Sequence, residues 1–305
     1  MKKLFNIICL FALPYILQAQ HEKLHQVTKR LEKTFTYQAG YEVNIEGEKA
    51  DVVIETWDKP EIGISLEMTA RHPEKAVAEA DVEKIRYLAK RVKNKIYIRN
   101  YISLKEGEKE PASNLHAQYT IKVPEECPVY LKNYFGVANV SNLSNRFRFF
   151  GEFTKIGMQN IRGNIDLRSR FGDINGNTLD GNVSIASRRS DISLENISGS
   201  YDIDSQYGLV AIYSIGELLK LDINAEQGDV FLFDPKIREY GYNLQAQNGR
   251  MHVPENLDME LLANSTDIKK MNFKPNEEFY PNITISVTFG DLHIQKEKNS
   301  KAVKP

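Results

Sequence analysis

The stretch from Leu167 to Ile174 reads Leu-Arg-Ser-Arg-Phe-Gly-Asp-Ile, and it decides the fold because it recurs along the chain. Eighteen residues later the chain reads Ile-Ala-Ser-Arg-Arg-Ser-Asp-Ile over 185–192, and after the same interval it reads Ile-Asp-Ser-Gln-Tyr-Gly-Leu-Val over 203–210. Further copies begin at Leu131, Phe149, Ile223, Leu244 and Ile285. A fixed period of this length is typical of repeat architectures, in which each unit buries its apolar face against its neighbours.

A second half-motif repeats in step, over Gly163–Leu167, Gly181–Ile185 and Gly199–Ile203. Each period therefore holds two short strands with alternating side chains, joined by turns rich in Gly, Asn, Asp and Ser. If one coil takes 18 residues, side chains one period apart lie beside each other at the strand spacing. The sequence thus predicts an all-β fold, a single-stranded parallel β-solenoid of about 18 residues per coil, with an irregular N-terminal portion containing one helix.

This register assigns side chains to columns along the solenoid. We expect an inner aliphatic ladder (Leu167, Ile185, Ile203), a second inner column (Ser169, Ser187, Ser205, continued by Ala225 and Ala246) and an aromatic corner column (Phe153, Phe171, Tyr207). Glycines that share the next turn position are expected to adopt positive φ, namely Gly172, Gly208, Gly228, Gly249 and Gly290. The longer gap before Ile285 is expected to contain a degenerate copy at Leu262–Lys269.

The chain is predicted to divide into four parts. Residues 1–19 have the layout of a secretory signal peptide, with Lys2 and Lys3, an apolar run from Leu4 to Leu17 and a cleavage site after Ala19. Residues 20–125 form a β-rich portion with a helix at 73–92, residues 126–295 form the regular solenoid, and residues 296–305 form a polar tail. The apolar run is too short to span a bilayer, and no later stretch is apolar enough. We expect an exported protein without a transmembrane segment after signal cleavage, either periplasmic, associated with the cell envelope or extracellular.

Composition excludes several classes of function. The formal net charge is −1, which argues against a nucleic-acid partner because neutralising phosphates needs a basic surface. Without the signal segment Cys127 is the single cysteine, so it has no partner for an internal disulfide. We interpret Cys127 as a small apolar residue in the turn Pro124–Pro128.

The signal segment, the Val52–Pro60 stretch and the later Gly-Asp-Ile copies resemble the "putative adhesin" family of bacterial envelope β-strand-repeat domains. That family is in turn similar to domains described as auto-transporter adhesin heads, a domain type of unknown function. The resemblance implies a non-enzymatic envelope protein tied to adhesion or to envelope-stress signalling. It brings no catalytic residues with it.

The most suggestive surface feature is a group of arginines. Seven fall within three coils: Arg146, Arg148, Arg162, Arg168, Arg170, Arg188 and Arg189. Alternation places Arg168 and Arg170 outward, with Arg170 beside Arg188, and such neighbouring guanidinium groups repel unless an anion intervenes. Asp204 and Glu226 on following coils are the expected partners if the face neutralises itself. Otherwise Arg168, Arg170, Arg188 and Arg189 form a binding site for an anionic envelope glycan or an acidic protein surface.

Other chemistry finds less support in the sequence. Asp173, Asp191 and Asp229 share one position after the turn and are the acidic candidates for a glycan-acting enzyme, but Asp after Gly is ordinary turn chemistry. The six histidines, among them His116, His252 and His293, show no pairing at metal-ligand spacing. We therefore predict no catalytic residue, no cofactor and no metal. The predicted function is a non-catalytic envelope scaffold or adhesin-like binding module, with an envelope-stress sensor as the alternative and a glycan-acting enzyme as a weaker one.

Overall fold

The computed structural model describes residues 24–234, 236–255 and 257–296. The predicted signal peptide at residues 1–19, and the predicted tail beyond Lys296, lie outside the described residues. Over the described residues the chain is an all-β parallel solenoid with one helix, and the predicted fold class is confirmed. Within these stretches, no helix has the length and hydropathy needed to cross a membrane.

The helix α1 spans Lys75–Val82. The strands are β1 (His25–Thr36), β2 (Glu42–Glu48), β3 (Ala50–Thr56), β4 (Glu61–His72), β5 (Ile85–Val92), β6 (Lys95–Ile102), β7 (Asn114–Val123), β8 (Val129–Ser141), β9 (Arg146–Arg170), β10 (Ile174–Arg188), β11 (Ile192–Gln206), β12 (Val210–Glu226), β13 (Val230–Phe233), β14 (Gly241–Gln247), β15 (Met251–His252), β16 (Glu260–Asn264), β17 (Ile268–Phe273), β18 (Asn282–Thr288) and β19 (Leu292–Gln295).

The middle of the solenoid stacks with the register that the repeat predicts. Leu167 pairs with Ile185, and Ile185 pairs with Ile203, in parallel strands. All three side chains are buried, so each contributes about 1.5–3 kcal/mol through removal from water. The step from Ile203 to Ile223 takes two extra residues, which the strands absorb as register shifts around Gly199.

The predicted serine column is also buried, and its hydroxyls find partners inside the coil. The Ser169 hydroxyl donates to the Gly172 carbonyl at 2.6 Å, and the Ser187 and Ser205 hydroxyl oxygens lie 3.2 Å apart. Small polar residues are therefore tolerated in the core because each hydroxyl meets a hydrogen-bonding group at the bend.

The turn after this column has a different conformation from the predicted one. Positive φ occurs one residue before the shared glycines, for example at Phe171 (58°) and Tyr207 (59°), and not at the glycines themselves. Gly172 has no room for a side chain, because a Cβ there would lie 2.1 Å from the carbonyl oxygen of Thr154, which holds the same position in the preceding coil. The same close approach recurs at Gly208, 2.1 Å from the Ser190 carbonyl oxygen. The expected positive φ of the glycine column was wrong, and backbone stacking explains the residue instead.

At the C-terminal end the coils do not stack in chain order. β18 pairs in parallel with β12 on one side and with β14 on the other, so Ile285 lies between Ile223 and Leu244. The predicted degenerate copy at Leu262–Lys269 is wrong, because β16 and β17 form an antiparallel pair and β17 covers the edge of β14. An antiparallel strand thus ends the parallel stack and satisfies an edge that would otherwise be open.

The N-terminal end uses the same arrangement. The coil formed by β2 and β3 lies between the coil formed by β6 and β7 and the first regular strand, β8. Antiparallel strands close the outside, with β5 on β6, and with β4 on β7 followed by β1. The sheet is continuous across residue 125 through the pairing of β2 with β8, and the proposed division of the chain there stays a prediction.

The predicted helix at 73–92 is correct only in its first half. Helix α1 ends at Val82 and packs against β1 and β4, with Ala78, Asp81 and Val82 buried. Residues 85–92 form β5, which turns through Lys93 (φ 55°) into β6. Ile85, Ala89 and Val92 fit a helical spacing, but the free edge of β6 offers eight residues a full set of backbone partners, and that pairing prevails.

Candidate functional site

The predicted arginine cluster, here Arg168, Arg170, Arg188 and Arg189, lies on the outer surface of the regular coils. Arg170 stands directly opposite Arg188 in parallel register, and Arg189 begins the corner with φ 55°. All four side chains are exposed. Because neighbouring parallel strands lie about 4.8 Å apart, Arg170 and Arg188 leave the backbone side by side, as alternation predicts.

The cluster is only loosely paired with acidic groups. Arg168 Nε lies 3.6 Å from an Asp166 oxygen, and an Arg170 nitrogen lies 3.7 Å from an oxygen of the half-buried Glu152. Among the residues that the structure describes, no carboxylate lies within 4.0 Å of the Arg188 or Arg189 guanidinium group. Exposed ion pairs of this length contribute about 0–1 kcal/mol, so the arginines remain available to a ligand.

The expected partners of the cluster are engaged elsewhere. The Asp204 carboxylate accepts a hydrogen bond from the Asn224 side chain at 3.3 Å, and the Glu226 carboxylate accepts one from Gln206 at 3.3 Å. The prediction that Asp204 and Glu226 neutralise the arginines was wrong, because Gln206 stands in the strand between Arg188 and Glu226.

The arginines line a shallow depression of about 740 Å³. Its wall carries Arg168, Arg170 and Arg188 at one end and Asp204 and Glu226 at the other. The depression exists because Ala186, with its short side chain, stands opposite Arg168 and Asp204 in the neighbouring strands. The remaining lining residues are Phe150, Ser169, Ser187, Ser205, Gln206 and Asn224.

An aromatic column runs along the corner next to the arginines, as predicted for Phe153, Phe171 and Tyr207. Phe135, Phe153 and Phe171 stack face to face with ring centroids 5.0 Å and 4.7 Å apart. Arg189 takes the next position, with its guanidinium 5.5 Å from the Phe171 ring and 5.8 Å from the Tyr207 ring. These cation–π contacts hold the guanidinium at the surface without neutralising it.

The other arginines of the group do not join the cluster. Arg148 contacts the Glu42 carboxylate at 3.3 Å and lies over the Tyr130 ring at 4.9 Å. Arg162 pairs in register with Asp180, on a different segment of the coil. Arg146 begins β9, well before the depression. The site hypothesis therefore rests on the four arginines of the cluster alone.

The aspartates considered for catalysis connect adjacent coils. Asp173 Oδ1 accepts the Asp191 backbone N–H at 3.3 Å, Asp191 Oδ1 accepts that of Leu209 at 2.9 Å, and Asp229 Oδ1 accepts that of Asp291 at 2.8 Å. These side-chain-to-backbone hydrogen bonds form a ladder along the coils, here called the Asp ladder. They support the interpretation of these aspartates as turn residues.

Two features of the structure were not predicted from the sequence. A groove of about 640 Å³ is lined by amides and hydroxyls, including Asn175, Asn177 and Ser193, and ends at Tyr213. Polar outward positions at 18-residue spacing, such as Gln159 and Asn177, are the signal that could have indicated it. The second feature is the pairing of His252 with His293, which the insertion of β19 brings together.

Among curated proteins, none matches the chain significantly. A "putative adhesin" from Bacteroides fragilis is 11% identical, with 87% of this chain and 97% of that chain covered and a TM-score of 0.42. A "putative adhesin" from Parabacteroides merdae is 9% identical, with 87% and 96% covered and a TM-score of 0.40. A "putative lipid binding protein" from Parabacteroides distasonis is 10% identical, with 87% and 96% covered and a TM-score of 0.38. At these values the likenesses carry no inference about function.

The family comparison concerns the regular coils and the C-terminal end. It covers residues 151–295, from within β9 to the end of β19. This stretch contains the whole arginine cluster, the Asp ladder and the lining of the depression apart from Phe150. The family resemblance predicted from the repeat is thereby confirmed, because residues 151–295 match the model of the Toastrack DUF4097 family.

Proposed function

We propose that this protein is a non-catalytic binding module of the bacterial cell envelope and that its arginine cluster binds an anionic envelope glycan. The observation that carries the proposal is the adjacent pair Arg170 and Arg188 at the edge of an open depression. Arg170 has only a loose contact with Glu152 at 3.7 Å, and no described carboxylate lies within 4.0 Å of Arg188. Two guanidinium groups held one strand spacing apart repel by about 1 kcal/mol in water. A ligand carboxylate or phosphate between them removes that repulsion and gains charge-assisted hydrogen bonds.

The shape of the site favours an extended ligand. The depression is shallow and open. Arg189 follows its lining residue Arg188 in the chain and lies over the Phe171 ring at the neighbouring corner. Guanidinium groups bind carboxylate and phosphate in a bidentate fashion, which suits repeated acidic groups along a polymer. The acidic end at Asp204 and Glu226 would repel a uniformly anionic chain, so we place the anionic groups over Arg168, Arg170 and Arg188.

Export supports an envelope ligand. The N-terminal segment has the charge, length and cleavage pattern of a signal peptide, so the mature protein would meet glycans and not cytoplasmic anions. An envelope-stress sensor remains the alternative role for such a module, and a sigma-factor or anti-sigma gene beside this gene would favour it. A glycan-acting enzyme is disfavoured because Asp173, Asp191 and Asp229 are committed to backbone hydrogen bonds.

The test is a binding titration with an acidic polysaccharide, polygalacturonate, and with neutral dextran as the reference polymer. The variant carries Arg168→Ser, Arg170→Ser and Arg188→Ser. A matched control removes the same charge from three other exposed arginines, as Arg86→Ser, Arg146→Ser and Arg162→Ser.

We expect the cluster variant to lose roughly tenfold or more in affinity and the control to stay within about threefold, since charge-assisted bonds contribute about 1.5–3 kcal/mol each. Binding should weaken in high salt, because exposed charges are screened beyond about 10 Å at 0.1 M. Equal losses in both variants would mean that only net charge matters. Binding of an acidic protein from envelope extracts, with no polysaccharide binding, would replace the glycan with a protein partner.

A further inference from the structure

His252 and His293 stand at the same position after the repeat copies that begin at Leu244 and Ile285, and the stacking of those two coils makes them a pair. β15 and β19 run in parallel, and their register places His252 directly opposite His293. The two rings are stacked with centroids 4.5 Å apart and planes 9° from parallel. Asp291 lies two residues before His293, and one ligand atom from each of the three side chains falls within 4.8 Å of the others.

The surroundings hold two of these three side chains in place. Phe231 stacks on the other face of His293 with centroids 4.5 Å apart, and the Phe231 ring is itself buried. The Asp291 carboxylate is oriented because its Oδ1 accepts the Arg250 backbone N–H at 2.8 Å. The Asp291 backbone is held in turn by Asp229 Oδ1 at 2.8 Å. His252 is exposed and therefore free to rotate toward a ligand.

We propose that His252, Asp291 and His293 bind a divalent transition-metal ion of the zinc class. Two imidazole nitrogens and one carboxylate oxygen are a donor set that zinc accepts, with water in the fourth position. Calcium and magnesium prefer six or more oxygen ligands, which this group does not offer. Asp229 acts as the outer support that fixes the Asp291 ligand.

The rings must tilt slightly to bind the ion. Tetrahedral zinc with Zn–N bonds of about 2.0–2.1 Å needs its two nitrogens roughly 3.4 Å apart, so the stacked rings have to close by about an ångström. The exposed His252 side chain can supply this movement, while His293 stays between its neighbours. The Arg250 N–H binds Asp291 Oδ1, so the second oxygen, Oδ2, would be the third ligand.

Metal binding at this site would hold the C-terminal end of the fold together. β15 consists of two residues and pairs with β19 alone among the described strands. A metal shared between His252 and His293 would therefore tie the inserted last strand to the coil beside it. Binding to the folded state alone raises the temperature of unfolding as the metal concentration increases.

The experiment titrates the tag-free protein with Zn²⁺ against a chromogenic chelator, and repeats the titration with Co²⁺ to follow its visible absorption. His252→Phe and His293→Phe keep an aromatic ring in the stack but remove the nitrogen ligands. Asp291→Asn keeps the acceptor for the Arg250 N–H and removes the charged ligand. His116→Phe is the control, since His116 pairs with Asp51 at 3.2 Å in the N-terminal portion.

We expect one Zn²⁺ per chain with a dissociation constant on the order of micromolar or below, and a rise in Tm that Mg²⁺ does not reproduce. Each of the three variants should weaken binding by roughly 100-fold or more, and His116→Phe should not. If a phenylalanine variant fails to fold, Asp291→Asn decides the outcome by itself. Binding weaker than roughly 100 µM, or binding that all three variants retain, would overturn the proposal.

Discussion

The sharpest structural prediction concerns Gly181, at the corner where Gly163, Gly181 and Gly199 stack in register. These glycines have φ values of 105°, 129° and 91°, a region that other residues rarely adopt. A Cβ built on Gly181 would lie 2.1 Å from the Gly163 carbonyl oxygen, although real Cβ atoms do not come closer than 3.0 Å. Gly181→Ala must therefore move the neighbouring backbone by about an ångström.

The expected cost has two parts. Placing alanine in the left-handed region costs about 1–2 kcal/mol. Moving one coil away from the next weakens the interstrand hydrogen bonds on both sides of the corner, each with a net contribution of about 1 kcal/mol. We expect a total loss of about 3–5 kcal/mol in the free energy of unfolding. For a domain of this size that loss lowers Tm by about 10 °C.

Urea unfolding followed by circular dichroism, together with thermal unfolding, measures the change. Gly157→Ala is the matched control, because Gly157 lies in the same coils without a positive φ and its Cβ would meet only the Asn139 side-chain oxygen at 2.9 Å. That side chain can rotate, so the control should lose no more than about 1 kcal/mol. A Gly181→Ala protein as stable as Gly157→Ala would refute the close-packed backbone column.

Two further predictions concern buried groups. Burial, with a smaller contribution from Glu126, raises the pKa of Cys127 to about 12, so its thiol should resist alkylation at pH 8 in the folded protein with residues 1–19 removed. Ser184→Cys, on the outer surface, should react quickly as the reference, and rapid labelling of Cys127 without unfolding would contradict its burial. Burial by itself would raise the pKa of Asp81, but the Lys84 ammonium at 2.8 Å and the Ser113 N–H at 2.8 Å hold it below its usual value. Because the unfolded chain then binds the proton more tightly, this stabilisation is present above about pH 4 and is lost as the pH falls further. Asp81→Asn should flatten the acid side of the stability profile, and a profile parallel to the wild type would rule out this role.

The regular coils could be predicted because their contacts are encoded at a fixed interval. In a solenoid the neighbour in space is the residue one period away, so Leu167, Ile185 and Ile203 indicate their own stacking. The same rule placed Arg170 beside Arg188 on the outside. What the interval does not encode is charge compensation along the column, and the structure shows Asp204 and Glu226 bound to amides on neighbouring strands.

The local sequence pattern does not predict the structure of a segment that can form either of two secondary structures. Residues 85–92 satisfy a helical spacing, but an unpaired strand edge beside them favours the strand. The glycine column similarly supported two explanations, positive φ or close approach, and only the distance from Gly172 to the Thr154 carbonyl distinguishes them.

By itself the sequence determined the all-β repeat, the length of the coil, the inner columns and the outward arginines. The tertiary structure decided how the ends are built, with one coil inserted out of chain order and antiparallel strands outside it at both ends. The physical reason is that any strand of suitable geometry can form the missing hydrogen bonds at an open strand edge. Which strand pairs there depends on competition between segments of the chain and not on the repeat period. That competition places β19 next to β15, and with it His293 next to His252, in contact although 41 residues apart in the chain.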